Sequence, residues 1–363
     1  MKKIAMIPIY KGQTEADVFD PNARDNIFEP LIRLKELFAL QGYNLYILGD
    51  YEKEKPDRLL FYNCSDTKLL TTLYRADMLK NSIYVSLEPP LVDPMHTENN
   101  MKRLSNIFGA VMTWQDDLVD NKKFFKIYVP MPKKDKSFDI SFCDKKLITF
   151  ISSNFPKKQW YKPKSLYGKR VEAIEYFQQK CPDQFDFYGK RWSKEQYPAY
   201  KGLVEHKDDV LKNYKFAICF ENMEKVDGYV TEKIFDCFYA DCVPVYWGPD
   251  NIEKYVPKNC FVDFRDFSDF DALYDHLINM TEEEYNDIIT NIRAYLNSSM
   301  YAKFLPEQYF NDISNAFKAI EQKEFNFKIA KKEISWLKKR NVKIFFKRCF
   351  GKIKRILRIA RPT

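Results

Sequence analysis

Short apolar runs alternate with helically spaced apolar residues along most of this chain, and that alternation limits the fold more than any other feature. Lys3–Ile9, Leu45–Leu48, Leu59–Tyr62 and Ile83–Leu87 read as strands. Ile27, Leu31, Leu34, Leu37 and Phe38 recur at helical spacing, and that pattern stops near Gly42. A second set follows, with strands at Leu147–Ile151, Phe185–Tyr188, Phe216–Phe220 and Val243–Tyr246. Its helices lie near Lys169–Gln179 and Thr231–Tyr239. Apolar strands separated by helices imply parallel sheets covered on both faces. A Pro- and Lys-rich stretch, Val129–Ser137, interrupts the alternation. At ~150 residues per domain, 363 residues suggest two domains, and we expect the boundary near residue 140. After Phe267 the chain reads as mostly helical to about Ile320, and no internal repeat is visible.

Composition excludes several classes. Hydrophobic residues make up 45% and charged residues 30%, which is ordinary for a globular protein and wrong for a disordered one. No apolar run reaches the ~18–20 residues of a membrane span. The opening MKKIAMIPIY resembles a secretory leader, but Pro8 interrupts it and Lys11 ends it without a small-residue cleavage site. A first strand is therefore expected there. None of the eight cysteines forms a CxxC pair, and there are only three histidines, so a zinc site is not expected. Several cysteines sit in apolar runs, which fits buried, reduced thiols and a cytoplasmic protein.

Charge is unevenly distributed. Lys and Arg number 59 against 51 Asp and Glu. Residues 331–363 hold 13 of the basic residues and one acid, Glu333, leaving 46 basic and 50 acidic residues in the rest. A mildly acidic body argues against a nucleic-acid-coating surface, and no nucleic-acid partner is expected.

The densest chemical signal runs from Phe216 to Gly248. An apolar strand ends in Glu221-Asn222, a loop carries Gly228, and a helix opens near Thr231 with Glu232 and Lys233 in its first turn. Ligands of α/β proteins bind at the carboxyl ends of strands, and a helix N-terminus favours phosphate. Lys233 opposes the helix dipole there. A bound anion would remove that conflict, and an exposed lysine would tolerate it at a few tenths of a kcal/mol.

These residues also resemble a known signature. Phe220, Glu221, Asn222, Gly228, Tyr229, Val230, Thr231, Glu232 and Lys233, then Val243, Pro244, Val245, Tyr246 and Gly248, match the donor-site motif of the bacterial α-1,3/4-fucosyltransferases of glycosyltransferase family ten, the Lewis-antigen type. Ser86-Leu87-Glu88-Pro89-Pro90 resembles the family's glutamate-proline segment. Ile151-Ser152-Ser153-Asn154 resembles the opening of the donor domain, and Gly168-Lys169-Arg170 the segment whose arginine meets the diphosphate. Thr113-Trp114-Gln115-Asp116-Asp117 stands where relatives carry an arginine that this chain lacks, so no role is assigned to it. The resemblance covers about residues 80–270; residues 1–80 agree in pattern only.

The resemblance implies an α/β GT-B fold, two Rossmann-like domains facing across a cleft. Residues 1–140 would bind the acceptor and 141–325 GDP-fucose, with 326–363 a basic amphipathic tail. It implies an inverting transfer of L-fucose from GDP-β-L-fucose to a GlcNAc hydroxyl of a β-galactosyl-N-acetylglucosamine-type glycan, α-1,3 linkage favoured. An α-1,4 or other linkage, or another nucleotide-sugar donor, is the alternative. A non-enzymatic membrane or nucleic-acid binder acting through the tail is the remote one. The resemblance implies Glu88 as the general base, and partial burial would raise its carboxylate toward the useful range; a surface glutamate beside a turn is the alternative. Arg170 and Lys233 are expected on the diphosphate, Asn222 and Tyr229 on phosphate or fucose, and Glu232 on the ribose. Val230 and Thr231 complete the expected donor-binding set. No cofactor is expected to be required, although divalent ions could stimulate activity. The one DxD pattern, Asp269-Phe270-Asp271, reads as a helix cap. Trp114, Trp160, Trp192 and above all Trp247 are candidates for stacking on sugar, with core packing as the alternative.

In the tail, Phe345, Phe346, Cys349, Phe350, Ile353, Ile356, Leu357 and Ala360 fall at helical spacing. Lys347, Arg348, Lys352, Lys354, Arg355 and Arg358 surround them. That pattern suits peripheral binding to an anionic surface, expected to be the inner face of the cytoplasmic membrane.

Overall fold

The computed structural model describes residues 1–134, 138 and 140–359, with side chains up to residue 346. Two parallel sheets organise the chain. The first contains β1 (Lys2–Ile7), β2 (Tyr43–Ile47), β3 (Arg58–Phe61), β4 (Ser82–Ser86), β5 (Ala110–Thr113) and β6 (Phe124–Lys126), in the order β2-β1-β3-β4-β5-β6. The second contains β7 (Lys146–Ile151), β8 (Phe185–Tyr188), β9 (Tyr214–Phe220), β10 (Val243–Trp247) and β11 (Val262–Asp263), in the order β11-β10-β9-β7-β8. Every strand pair is parallel. These are the two Rossmann-like units expected from the sequence.

Strand periodicity explains why the first sheet is buried on both faces. Ile4, Met6, Leu60, Ile83, Val85 and Met112 pack into one core, and Ala5, Leu59, Phe61, Tyr84 and Val111 into the other. Successive side chains point to opposite faces, so runs of this kind need cover on each side. Helix α1 (Glu29–Leu40) supplies Leu34 and Phe38 to the first core, and α2 (Thr67–Arg75) supplies Leu70 and Leu73 to the second. The N-terminal run is the interior strand β1, between β2 and β3, with Ile4, Ala5 and Met6 fully buried.

Around the second sheet, α3 (Tyr167–Lys180), α4 (Lys207–Leu211) and α5 (Glu232–Tyr239) precede a helical end. Two of its last helices return to the first sheet. In α6 (Pro306–Glu321), Tyr309, Ile313, Ala316, Phe317 and Ile320 pack beside Ile83 and Met112. Full burial of each large apolar side chain contributes ~1.5–3 kcal/mol, enough to hold this return. Helix α7 (Phe327–Ile359) buries Ile334 and Leu337 beside Leu70, and Arg103 pairs with Glu333 at 2.7 Å. The division expected at residue 140 falls in the β6–β7 connection. The end expected at 325 falls between α6 and α7, although α6 already packs on the first sheet.

A polar network joins the two units. Lys126 Nζ donates to Asp116, to the Trp114 carbonyl and to Tyr255 Oη, each at 2.7 Å. Asn251 donates to Asp116 at 2.7 Å and accepts from the Gly228 amide at 3.1 Å. Gly228 has φ +84°, and a Cβ there would lie 2.2 Å from the Trp114 carbonyl oxygen. The motif glycine is thus required twice, for its backbone angle and for close passage of the two units. The Trp114–Asp116 segment, given no role from sequence, is the first unit's half of this joint.

Candidate active site

The second sheet reverses its winding between β7 and β9, and a crevice opens at such a switch point beyond the carboxyl ends of the strands. A cavity of about 300 Å³ lies there. Its polar lining includes Arg170, Asn222, Glu232, Lys233, Lys207 and Asp236.

Each side chain is fixed by local structure. Arg170 sits in the first turn of α3 and is buried, with 5% of its surface exposed. One Nη donates to the Phe220 carbonyl at 2.6 Å and to Asn222 Oδ1 at 3.0 Å. Its buried Nε has no hydrogen-bond partner among the described residues. A buried guanidinium nitrogen without an acceptor is costly, and a ligand oxygen in the cavity would satisfy it.

Glu221 follows β9 and is fully buried. It accepts from the Thr231 amide at 2.9 Å and from the Thr231 hydroxyl at 2.8 and 2.9 Å. This clamp sets where α5 begins and occupies the Thr231 hydroxyl, which therefore makes no cap to its own helix. Lys233 Nζ lies 3.2 Å from Glu221, 3.3 Å from Glu232 and 2.9 Å from Thr231 Oγ1. Burial works against the Lys233 charge, but Glu221 and Glu232 outweigh it and lift the ammonium to about 12. Burial likewise opposes the Glu232 charge, but Lys233 and Lys207 outweigh it and hold the carboxyl at about 2. Both stay charged across the physiological range.

Tyr229, Val230 and Thr231 lie behind this wall. All three are buried, and none lines the cavity. Tyr229 Oη accepts from Asn222 Nδ2 at 3.0 Å, and its ring packs on Trp114 with centroids 4.8 Å apart. In this arrangement they hold Asn222 and the start of α5.

Glu88 follows β4 on the opposite unit, half-buried. Its carboxylate has no hydrogen-bond partner among the described residues. Burial and then Glu232 raise its pKa, with Lys233 opposing, so Glu88 feels the charges of the second unit. Its carbonyl accepts from His96 Nδ1 at 2.6 Å. A carbonyl only accepts, so Nδ1 carries the proton and Nε2 accepts from Tyr84 Oη at 2.9 Å. Burial depresses the His96 pKa, favouring this neutral form.

The tryptophans and the DxD pattern read from sequence find the following places. Trp247 stacks on Phe264 with centroids 5.0 Å apart, and Trp114 is buried with its Nε1 donating to the Leu87 carbonyl. Both are packing residues. Asp269 caps its helix, accepting from the Ala272 amide at 2.9 Å. Among the described residues no cluster of three His, Cys, Asp or Glu could hold a metal ion, and no helix is long and apolar enough to cross a membrane. Lys207 and Asp236, paired at 2.6 Å, were not singled out from sequence. Asp236 was within reach of such reasoning, since it lies four residues after Glu232 on one helical face. Lys207 was not.

Comparison with known proteins gives the chain its relatives. The profile for "Glycosyltransferase family 10 (fucosyltransferase) C-term" matches residues 143–333. The chain is 40% identical over 74 residues to alpha-(1,3)-fucosyltransferase FucT of Helicobacter pylori, covering 20% of this chain and 15% of that one. It is 43% identical over 117 residues to alpha-(1,3)-fucosyltransferase 4 of Bos taurus, covering 31% and 28%. The matched segments therefore span well under a third of those relatives' lengths. The fold resembles a crystal structure of alpha1,3-fucosyltransferase with GDP-fucose, with TM-score 0.52 and 17% identity over 90% of this chain and 92% of that one. It resembles Anabaena HepE in complex with UDP-glucose equally well, with TM-score 0.53 and 12% identity over 88% and 100%.

Proposed function

The chain belongs to glycosyltransferase family 10, the fucosyltransferases, and on that premise we propose that it moves L-fucose from GDP-β-L-fucose to a GlcNAc hydroxyl of a β-galactosyl-N-acetylglucosamine-type glycan, with inversion and α-1,3 linkage. The observation that carries this is a switch-point cavity holding Arg170, Asn222, Glu232 and Lys233, with Glu88 facing their charges from the other unit. The fold alone does not choose between guanosine and uridine donors; the match to the fucosyltransferase family supports the guanosine reading.

In this reading, Glu88 takes the acceptor hydroxyl proton as that oxygen bonds to the anomeric carbon. The bond from that carbon to the diphosphate oxygen breaks, and its electron pair leaves with GDP. Attack opposite the leaving group converts the β-linked donor to an α-fucoside. Arg170 and Lys233 offset the charge that develops on the diphosphate, and Glu232 accepts from the ribose hydroxyls. No step is assigned to a divalent ion. Residues 1–140 would carry the acceptor and 141–325 the donor. Turnover of GDP-fucose against a panel of β-galactosyl-N-acetylglucosamine glycans, with linkage analysis, is expected to yield α-1,3-fucosylated product. Turnover with UDP-sugars only would overturn the donor assignment.

We also propose peripheral attachment to an anionic membrane through α7. Val342, Phe345 and Phe346 are exposed near Lys338, Lys339, Arg340 and Lys343. The residues from Lys347 to Arg361 that would complete this face lie outside the described side chains. Deleting 342–363 leaves the packed residues Ala330, Ile334 and Leu337 in place. The full chain is expected to co-sediment with phosphatidylserine-containing vesicles and not with neutral ones, and the deletion to release it. Equal sedimentation of both forms would sink the idea.

A further inference from the structure

The cavity is not built from the second unit alone. Arg24 also lines it, and it is the one described lining residue that precedes β7. Arg24–Asn26 forms a tight turn in which Asp25 and Asn26 adopt φ of +58° and +57°. Asp and Asn tolerate this left-handed backbone better than other side chains. Asp25 then does two things. Its Oδ1 accepts from the Lys207 amide at 2.9 Å, capping α4, whose own preceding residue His206 makes no side-chain cap. Its Oδ2 pairs with Arg24 Nε at 3.1 Å. The first contact docks the turn on the second unit, and the second aims the guanidinium. Both Nη groups of Arg24 remain uncommitted to described protein atoms, and 42% of the side-chain surface is open.

The electrostatics of the cavity give this placement meaning. Its lining carries five cations, Arg24, Arg170, Lys190, Lys207 and Lys233, against two carboxylates, Glu232 and Asp236, and with Asp25 on Arg24 and Glu221 on Lys233 counted the cations are still in excess. Like charges gathered in a concave site repel unless an anion occupies it. Arg170 already presents a buried Nε without a partner among the described residues. A planar guanidinium with free Nη groups matches two oxygens of a phosphate better than a point charge does.

We propose that Arg24 reaches across the cleft to complete the diphosphate-binding site, so that the first unit supplies a cation to donor binding. This rests on the GDP-fucose reading for the identity of the nucleotide, and on the cavity alone for the diphosphate. Bound donor then ties the 24–26 turn to α4 and α5, and the two units hold the nucleotide between them.

Calorimetry of the full chain with GDP and with inorganic pyrophosphate tests this in Arg24→Gln and Arg24→Lys. Arg24→Gln is expected to weaken both ligands about tenfold, as for loss of one partly exposed charge-assisted contact. Arg24→Lys should recover part of the loss, and the gap from wild type should narrow as salt rises. The ligand-free melting temperature should stay within about 2 °C of wild type, since half-open side chains contribute little to stability. Unchanged binding by Arg24→Gln would overturn the proposal. So would an equal loss in both variants with a lowered melting temperature, which would mark Arg24 as serving the turn only. Wild-type binding of pyrophosphate without GDP, lost in Arg24→Gln, would retain the Arg24 site and overturn the donor reading instead.

Discussion

Lys233→Ala is expected to weaken GDP binding by roughly 30- to 150-fold, equivalent to ~2–3 kcal/mol for a charge-assisted contact in a partly desolvated site. The size follows from what the ammonium is asked to do. It stands between Glu221 and Glu232, and those carboxylates raise its pKa to about 12, so it is charged wherever the enzyme works. A group whose folded pKa is raised contributes stability below its unfolded value of ~10.4 and loses it as pH rises through the folded value. Near neutral pH that contribution is constant, so pH changes there do not blur the measurement. Among the described residues, alanine also leaves the fully buried Glu221 with Thr231 and Tyr246 alone as partners. Some loss of stability is therefore expected, and the ligand-free melting temperature separates it from the lost ligand contact; Lys233→Arg, which restores charge to both the ligand and Glu221, should recover binding and stability together. Titration calorimetry at fixed salt checks this. GDP binding by Lys233→Ala at wild-type strength would remove Lys233 from the diphosphate site.

Much of the scaffold was readable before any coordinates, for a physical reason. Strands buried on both faces read as near-continuous apolar runs, so Phe216–Phe220 and Ile83–Leu87, where buried Ser86 is the one polar residue, stand out without a helical or alternating signal to weigh against them. The shortest strands were not anticipated, β6 with three residues and β11 with two, and four-residue β5, no longer than β3, was missed with them. Segments of that length acquire their state from neighbours already in the sheet. The segment from Glu221 to Lys233 was legible as a set of residues, but their division was not. Whether Tyr229 faces ligand or packs behind Asn222 depends on Trp114, which lies more than a hundred positions earlier. The same distance hides Arg24, which reaches the cavity only because Asp25 docks on α4. The return of α6 to the first sheet was equally hidden. Its periodicity announced an amphipathic helix, and nothing in that periodicity says which sheet it covers.

Glu88→Gln is expected to lower turnover by about 10²–10⁴-fold, the usual contribution of a positioned general base, while GDP affinity stays within about twofold of wild type. Glutamine keeps the size of the side chain, and its backbone keeps the carbonyl that accepts from His96, so the loop should hold its shape. The prediction extends to pH. Burial and Glu232 raise the Glu88 pKa above its ordinary value. A base works when deprotonated, so activity should rise with pH through that raised value, giving an acid limb displaced upward from that of an exposed glutamate. Neither neighbour confuses this limb, because Glu232 titrates near 2 and Lys233 near 12. Glu232→Gln removes a negative charge that raises Glu88, so the limb should move to lower pH even though turnover also falls. Those two observations distinguish a base from a residue that only shapes the loop, since loss of shape would lower activity without shifting the limb. Near-normal turnover in Glu88→Gln, or an acid limb unmoved in Glu232→Gln, would show that the acceptor proton goes elsewhere.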